Sequence, residues 1–190
     1  MRIVLLIGLA AALAGFAGTG CAGDTTTAPE TVVPETDALG AQAVREVIAV
    51  RSAGAEAGVV STQIFAVIAK AGQERRAAGS RTLQRELPPL LVTAATVWPR
   101  SYRAIEAQTP RREAARRQRA ILLRAVRSER ASLARLRREL RSGADAWPSV
   151  LRFGARSDAL RQTLAGEIDT MMAAIPPHES EALRRAFAEG

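Results

Sequence analysis

The chain has 190 residues, with 27 Lys or Arg against 19 Asp or Glu and a formal net charge of +8. That length suits one domain with a real core plus a tether. A single cysteine, Cys21, excludes an internal disulfide, and with His178 as the one histidine no His/Cys metal set can be assembled.

Arg2 is the only charge before Asp24, and residues 3–23 are uncharged and apolar or small. A basic start, an apolar run and a small-residue exit make a secretory signal. The run closes on Gly18-Thr19-Gly20-Cys21. This resembles the lipobox of bacterial lipoproteins, in which a hydrophobic residue and two small residues precede an invariant cysteine. Thr19 and Gly20 match; Gly18 stands where Leu, Val or Ile is usual. The resemblance covers residues 1–22. It implies a signal peptide over 1–20, diacylation of Cys21, and a lipid-anchored place on the extracytoplasmic side of a cell membrane or envelope. Two plainer routes stay open: cleavage without lipidation, or retention as a signal anchor, since about 18–20 apolar residues can span a bilayer. Export argues against nucleic acid as a partner despite the basic charge.

Residues 21–37 read as a disordered or extended tether, rich in Thr, Pro and acidic groups with little to bury. About 16 residues reach at most ~50–55 Å. Glycosylation of the Thr cluster is an alternative role. From residue 38 the chain is rich in Ala, Leu, Arg, Glu and Gln, which favour helix, and the domain is set at 38–190. A first helix is expected over about 39–77, with Val44, Val47 and Ile48 opening an apolar stripe and Gly54 and Gly58 bending it or being tolerated. Gly79 and Pro88-Pro89 predict a break, so a second helix starts near Pro88, with Pro99 kinking or dividing it. Thr109 is the expected N-cap of a third helix beginning at Pro110 and ending near Arg141, before Gly143. A fourth starts near Asp145 or Trp147 and stops at Pro176-Pro177. A short helix follows, with Glu179 and Glu181 suited to its positive end. The predicted fold is all-α: an up-down bundle of about four long helices with a short C-terminal helix.

The third helix carries the whole charge excess. Residues 110–142 hold twelve arginines against Glu113, Glu129 and Glu139, net +9. Ala115, Leu122, Val126, Leu133, Leu136 and Leu140 recur on one face, which suits burial. Glu129 falls within that stripe and is expected at its edge, paired with an arginine, because a lone buried carboxylate is costly. Arg119 and Arg137 are expected at its border, with their stems over apolar surface. The other face is either solvated or an anionic-surface site, for which Arg116, Arg117, Arg124, Arg127, Arg130, Arg135 and Arg138 are the candidates. Anionic lipid, an envelope polymer or an acidic protein would fit it.

Trp98, Tyr102 and Trp147 are the scarce large anchors, either packed in the core or lining a ligand cleft. No catalytic motif, phosphate loop or EF-hand pattern occurs, so no enzyme activity, cofactor or metal is expected. Met171 and Met172 read as core filling. Ile175-Pro176-Pro177-His178-Glu179 is faintly similar to a step found before a helix in periplasmic stress and metal-sensing adaptors; it transfers no binding residues. The leading expectation is a membrane-tethered helical lipoprotein with a binding or scaffolding role. The alternative is a small-molecule carrier or sensing adaptor with an interhelical cleft.

Overall fold

The computed structural model describes residues 35–142 and 145–188. The expected signal peptide, the expected lipid-attachment residue Cys21 and the expected tether up to residue 34 lie outside the described residues. Six helices and no strand occur among the described residues: α1 Glu35–Ala53, α2 Ala55–Gln73, α3 Arg76–Glu106, α4 Glu113–Arg141, α5 Ala146–Ala174 and α6 Pro177–Ala188. The last three residues of the expected tether therefore belong to α1.

Glycine decides the first break. Gly54 interrupts the expected long helix, and α1 and α2 meet there at 53°. The bent pair forms one arm of an up-down bundle whose other arms are α3, α4 and α5, and α6 packs back chiefly on α1. No single helix among the described residues is long and apolar enough to cross a membrane.

The second helix begins twelve residues before its expected start. Gly79 and the Pro88-Pro89 pair do not separate two helices; α3 runs through both and through Pro99. Pro88 and Pro89 are exposed, as are Gln84 and Arg85 one turn earlier. The carbonyls that lose their N–H partners therefore lie on the wet side, where water replaces the bond. Gly79 is needed for a different reason. A Cβ there would collide with the Ala71 carbonyl oxygen and come within 2.8 Å of Trp147 Cζ2. Bare backbone lets the start of α3 fold tightly back on the end of α2 and under Trp147.

The third helix starts later than expected, at Glu113, and Thr109 is not its cap. Carboxylates from elsewhere in the chain take that role. Glu46 of α1 accepts from the backbone N–H groups of Arg111 and Arg112, both at 2.8 Å. Buried Glu179 of α6 accepts from the N–H of Ala114 at 2.9 Å. Burial raises the Glu46 pKa, but the N–H donors of Arg112 and Arg111, with Gln42, bring it below the usual value. Both carboxylates also face the positive end of the α4 dipole. Arg119 is half-buried, and its guanidinium bonds the Ile105 and Glu106 carbonyls at the end of α3. Asp145 caps α5 through the Trp147 N–H, and the helix begins at Ala146, within the expected start near Asp145 or Trp147.

Two apolar clusters fill the bundle. One joins α2 and α3 to the C-terminal half of α4 and the N-terminal half of α5; Trp98, Phe65 and Phe153 are its largest members. The other joins α1 and α6 to the N-terminal half of α4 and the C-terminal half of α5. It holds few large side chains: Ala43, Ala114, Ala115 and Ala125 are four of its members.

Replacing Gly79 with Ala tests the tight α2–α3 turn. Helix propensity alone would favour alanine by about 1 kcal/mol. The collision with main chain outweighs it, so Gly79→Ala lowers stability by about 1–3 kcal/mol in urea melts. A stability gain would mean that α2 and α3 do not approach as described.

Candidate functional site

The bend at Gly54 carries α1 away from the axis of α2, and the alanine-rich lower cluster does not fill the space that results. A cavity of about 490 Å3 lies between α1, the start of α2, α4, α5 and α6. This is within the range of small-molecule sites, about 300–1,000 Å3. Ile121, Leu122, Ala125 and Val126 on the buried face of α4 form its back wall. Leu164, Ile168 and Met171 of α5 face them, and Leu183 of α6 and Val47 of α1 close the far side. Ala165 is exposed, and Ile168, Met172 and Arg51 are only half-buried. The cavity therefore reaches solvent between α5 and α6, where the Arg51 guanidinium stands 4.7 Å from the Phe187 ring centre.

A few polar groups converge on this apolar space. Glu129 is 5% exposed and accepts a 2.8 Å hydrogen bond from the buried Ser61 hydroxyl of α2. It is not at the edge of the α4 stripe and its bonded partner is a hydroxyl, contrary to the sequence expectation. α4 packs against α5, α3 and α1, and the Ser61 hydroxyl reaches Glu129 from α2, so the carboxyl is enclosed by neighbouring helices. Burial pushes the Glu129 pKa up to about 7, against the opposing pull of the Ser61 hydroxyl and the Arg161 charge. Arg161 of α5 pairs with Asp158, and its guanidinium lies 5.8 Å from the Phe65 ring centre. Buried Gln118 adds an amide on the same face of α4, about three turns earlier. Burial also lowers the Arg51 pKa from the usual arginine value. The site thus offers a long apolar wall, one carboxyl that is half-ionised near neutrality, and two guanidiniums near its rim.

The expected cleft residues lie elsewhere. Trp98 is fully buried in the upper cluster, and Tyr102 is half-buried one turn further along the same face of α3. Trp147 packs at the other end of α3, where its indole Nε1 donates to the Arg76 carbonyl at 3.3 Å. Gly79, its neighbour, is 19 residues before Trp98, roughly 28 Å along the helix.

The arginines of α4 divide into two groups. Arg116 and Arg117 both pair with Glu113, and Arg124 pairs with Glu167. Arg127 donates to the Tyr102 hydroxyl at 2.7 Å and lies over its ring. Arg130, Arg135 and Arg138 are exposed and make no ion pair or side-chain hydrogen bond with the described residues. Ile175 and Pro176 form the α5–α6 turn, Pro177–Glu179 open α6, and Glu179 is the α4 cap described above.

Sequence reasoning did not assemble the cavity. Its best signal was two polar residues at buried positions: Glu129 in the α4 stripe and Ser61 in the apolar run of α2.

Glu129 carries a definite pH signature. Its folded-state pKa lies above the ordinary 4.5, so between those values the folded chain keeps a proton that the unfolded chain has lost. Stability from this group is complete at the acid end of that window and falls as pH rises through about 7. Glu46, Glu113 and Glu139 are shifted downward, so their contributions change below the window. Glu129→Gln removes the fall. Relative to the native chain the variant gains stability from about pH 5 to about pH 8, on the order of 3 kcal/mol. Urea midpoints at the two pH values check this; parallel pH profiles for the two proteins would contradict a buried, proton-holding Glu129.

Comparison with protein-family models, curated proteins and solved structures found no match to this chain.

Proposed function

We propose that this chain is an exported, membrane-tethered binding protein that holds a small amphipathic molecule inside its helical bundle. The observation that carries this reading is the 490 Å3 cavity, apolar along its length, with Glu129, Ser61 and Gln118 at buried positions on its lining or directly behind it. A domain with no use for the space would lose free energy through it. Each missing contact forfeits dispersion energy, and cavities cost about 24 cal/mol per Å3 of residual volume when a side chain is removed. Polar groups at a few fixed points of an apolar space orient a ligand rather than merely admit it.

The lipobox-like segment and the Thr/Pro-rich stretch support the location in this proposal. A tether keeps the bundle close to a membrane, which is a source of apolar molecules too insoluble to be captured from water. Scaffolding by the surface alone, the reading favoured by charge pattern, gives the cavity no role. The carrier reading uses both features.

The neutral fluorescent probe N-phenyl-1-naphthylamine tests the cavity directly. The native chain is expected to bind one probe saturably, with blue-shifted emission. Ala125 is buried on the back wall, so Ala125→Leu places extra carbons in the empty space. The variant should lose probe binding while keeping or raising its melting temperature. Probe binding unchanged in Ala125→Leu, with the fold intact, would place the apolar site elsewhere and overturn the reading.

A further inference from the structure

A second groove runs along α3 and α4, in the half of the bundle away from the cavity. It encloses about 290 Å3. Its floor is Leu91, Ala94 and Trp98 of α3 with Leu133 of α4. Its wall is Arg130, Arg137, Arg138 and Arg141. Spacings of seven, eight and eleven residues put these four on one side of α4. None of the four makes an ion pair or side-chain hydrogen bond with the described residues. The two carboxylates adjacent in sequence are engaged elsewhere: Glu129 is buried and accepts from Ser61, and Glu139, on the opposite side of the helix, bonds Arg152 of α5. No acidic residue lines the groove. The Trp98 indole N–H is fully buried and has no hydrogen-bond partner. Beside Leu91, Val92 is 52% exposed.

The arrangement combines two features that usually occur apart. Of the arginines elsewhere on α4, Arg116, Arg117 and Arg124 pair with carboxylates, Arg119 bonds carbonyls and Arg127 bonds the Tyr102 hydroxyl; Arg135 stands alone on another side of the helix. Here four guanidiniums converge beside an apolar floor. Some of that charge complements the negative end of the α4 dipole, but the dipole acts within the last turn, and Arg130 lies nearly three turns back. Guanidinium forks match phosphate oxygens in pairs. An apolar strip beside them suits the carbon chains below a phosphate headgroup. An acidic protein face would match the charge but gives the exposed apolar surface of Ala95, Ala134 and neighbouring Val92 no role.

We propose that this groove docks the protein onto an anionic bilayer by gripping phospholipid headgroups with Arg130, Arg137, Arg138 and Arg141. The groove would turn one end of the bundle toward the lipid. This goes beyond ligand binding in the cavity and does not depend on it.

Vesicle flotation of the full chain tests the proposal, with phosphatidylcholine alone or mixed with phosphatidylglycerol. Binding by the N-terminal segment is common to both, so the difference between them reads the groove. The native chain should bind the phosphatidylglycerol vesicles more tightly, and added salt should weaken that gain. The double variant Arg137→Glu/Arg138→Glu should lose the gain by about tenfold or more. Arg135→Glu makes a charge reversal on another side of α4 and should keep most of it. Circular dichroism confirms that the variants fold, and Arg137→Lys/Arg138→Lys should retain part of the gain. Equal binding to both vesicle types would overturn the proposal. So would an equal loss per charge for Arg135→Glu, because net charge rather than the groove would then be responsible. Calorimetric binding of inorganic phosphate with the affinity seen for vesicles would assign the groove to free anions instead. Retention on polyglutamate without any response to phosphatidylglycerol would assign it to an acidic protein.

Discussion

The 53° bend at Gly54 governs this bundle more than any single contact does. Above it, α2 lies along α3 and packs a dense core around Trp98, Leu87 and Phe153. Below it, α1 swings away and would leave α4 and α5 half covered. The short α6 folds back to lie against α1, and Gly40 permits the approach, since a Cβ there would stand 2.9 Å from both Ala182 Cβ and the His178 carbonyl oxygen. One helix of twelve residues does not replace a full-length arm, and the shortfall remains as the cavity.

The same geometry explains how α4 is held. Its N-terminus lies where α1 and α6 converge, and its free N–H groups are met by Glu46 from one and Glu179 from the other. An unmet buried N–H costs about 1–3 kcal/mol, so these carboxylates join three segments distant in sequence. At the far end of α4 the charge is handled differently. Glu139 goes to Arg152, and the arginines over the α3 groove are left to solvent or to an anionic surface. Glu129, between the two ends, is the one α4 carboxylate deprived of water, which is why it titrates near neutrality.

Much of this architecture was legible in the residues. Helix-forming composition and the α4 apolar stripe predict the helical arms, and of the two roles left open for Gly54, a bend or plain tolerance, the structure has the bend. The start of α5 near Asp145 and its stop before Pro176-Pro177 are local signals that local chemistry honours. What was not legible depends on neighbours. Pro88 and Pro89 read as a boundary because a proline removes a hydrogen bond; only their exposure shows that water repairs the loss. Thr109 read as a cap because Glu46 and Glu179 are 63 and 70 residues away from it in the sequence. Glu129 was visibly out of place, but its partner Ser61 sits on another helix and no periodicity links them. The tryptophans were the obvious place to look for a cleft; Trp98 does floor the α3–α4 groove, but the larger apolar cavity lies where alanines leave space.

A carrier reading ties these features together: a bend that opens space, a carboxyl at its edge, and an apolar wall reached between α5 and α6. The most direct measurement is native mass spectrometry of the chain purified gently from cells that produce it, beside its Ala125→Leu variant. The account predicts a small-molecule mass adduct on the native chain that is absent from the variant. A bare native chain, or the same adduct on both, would contradict it.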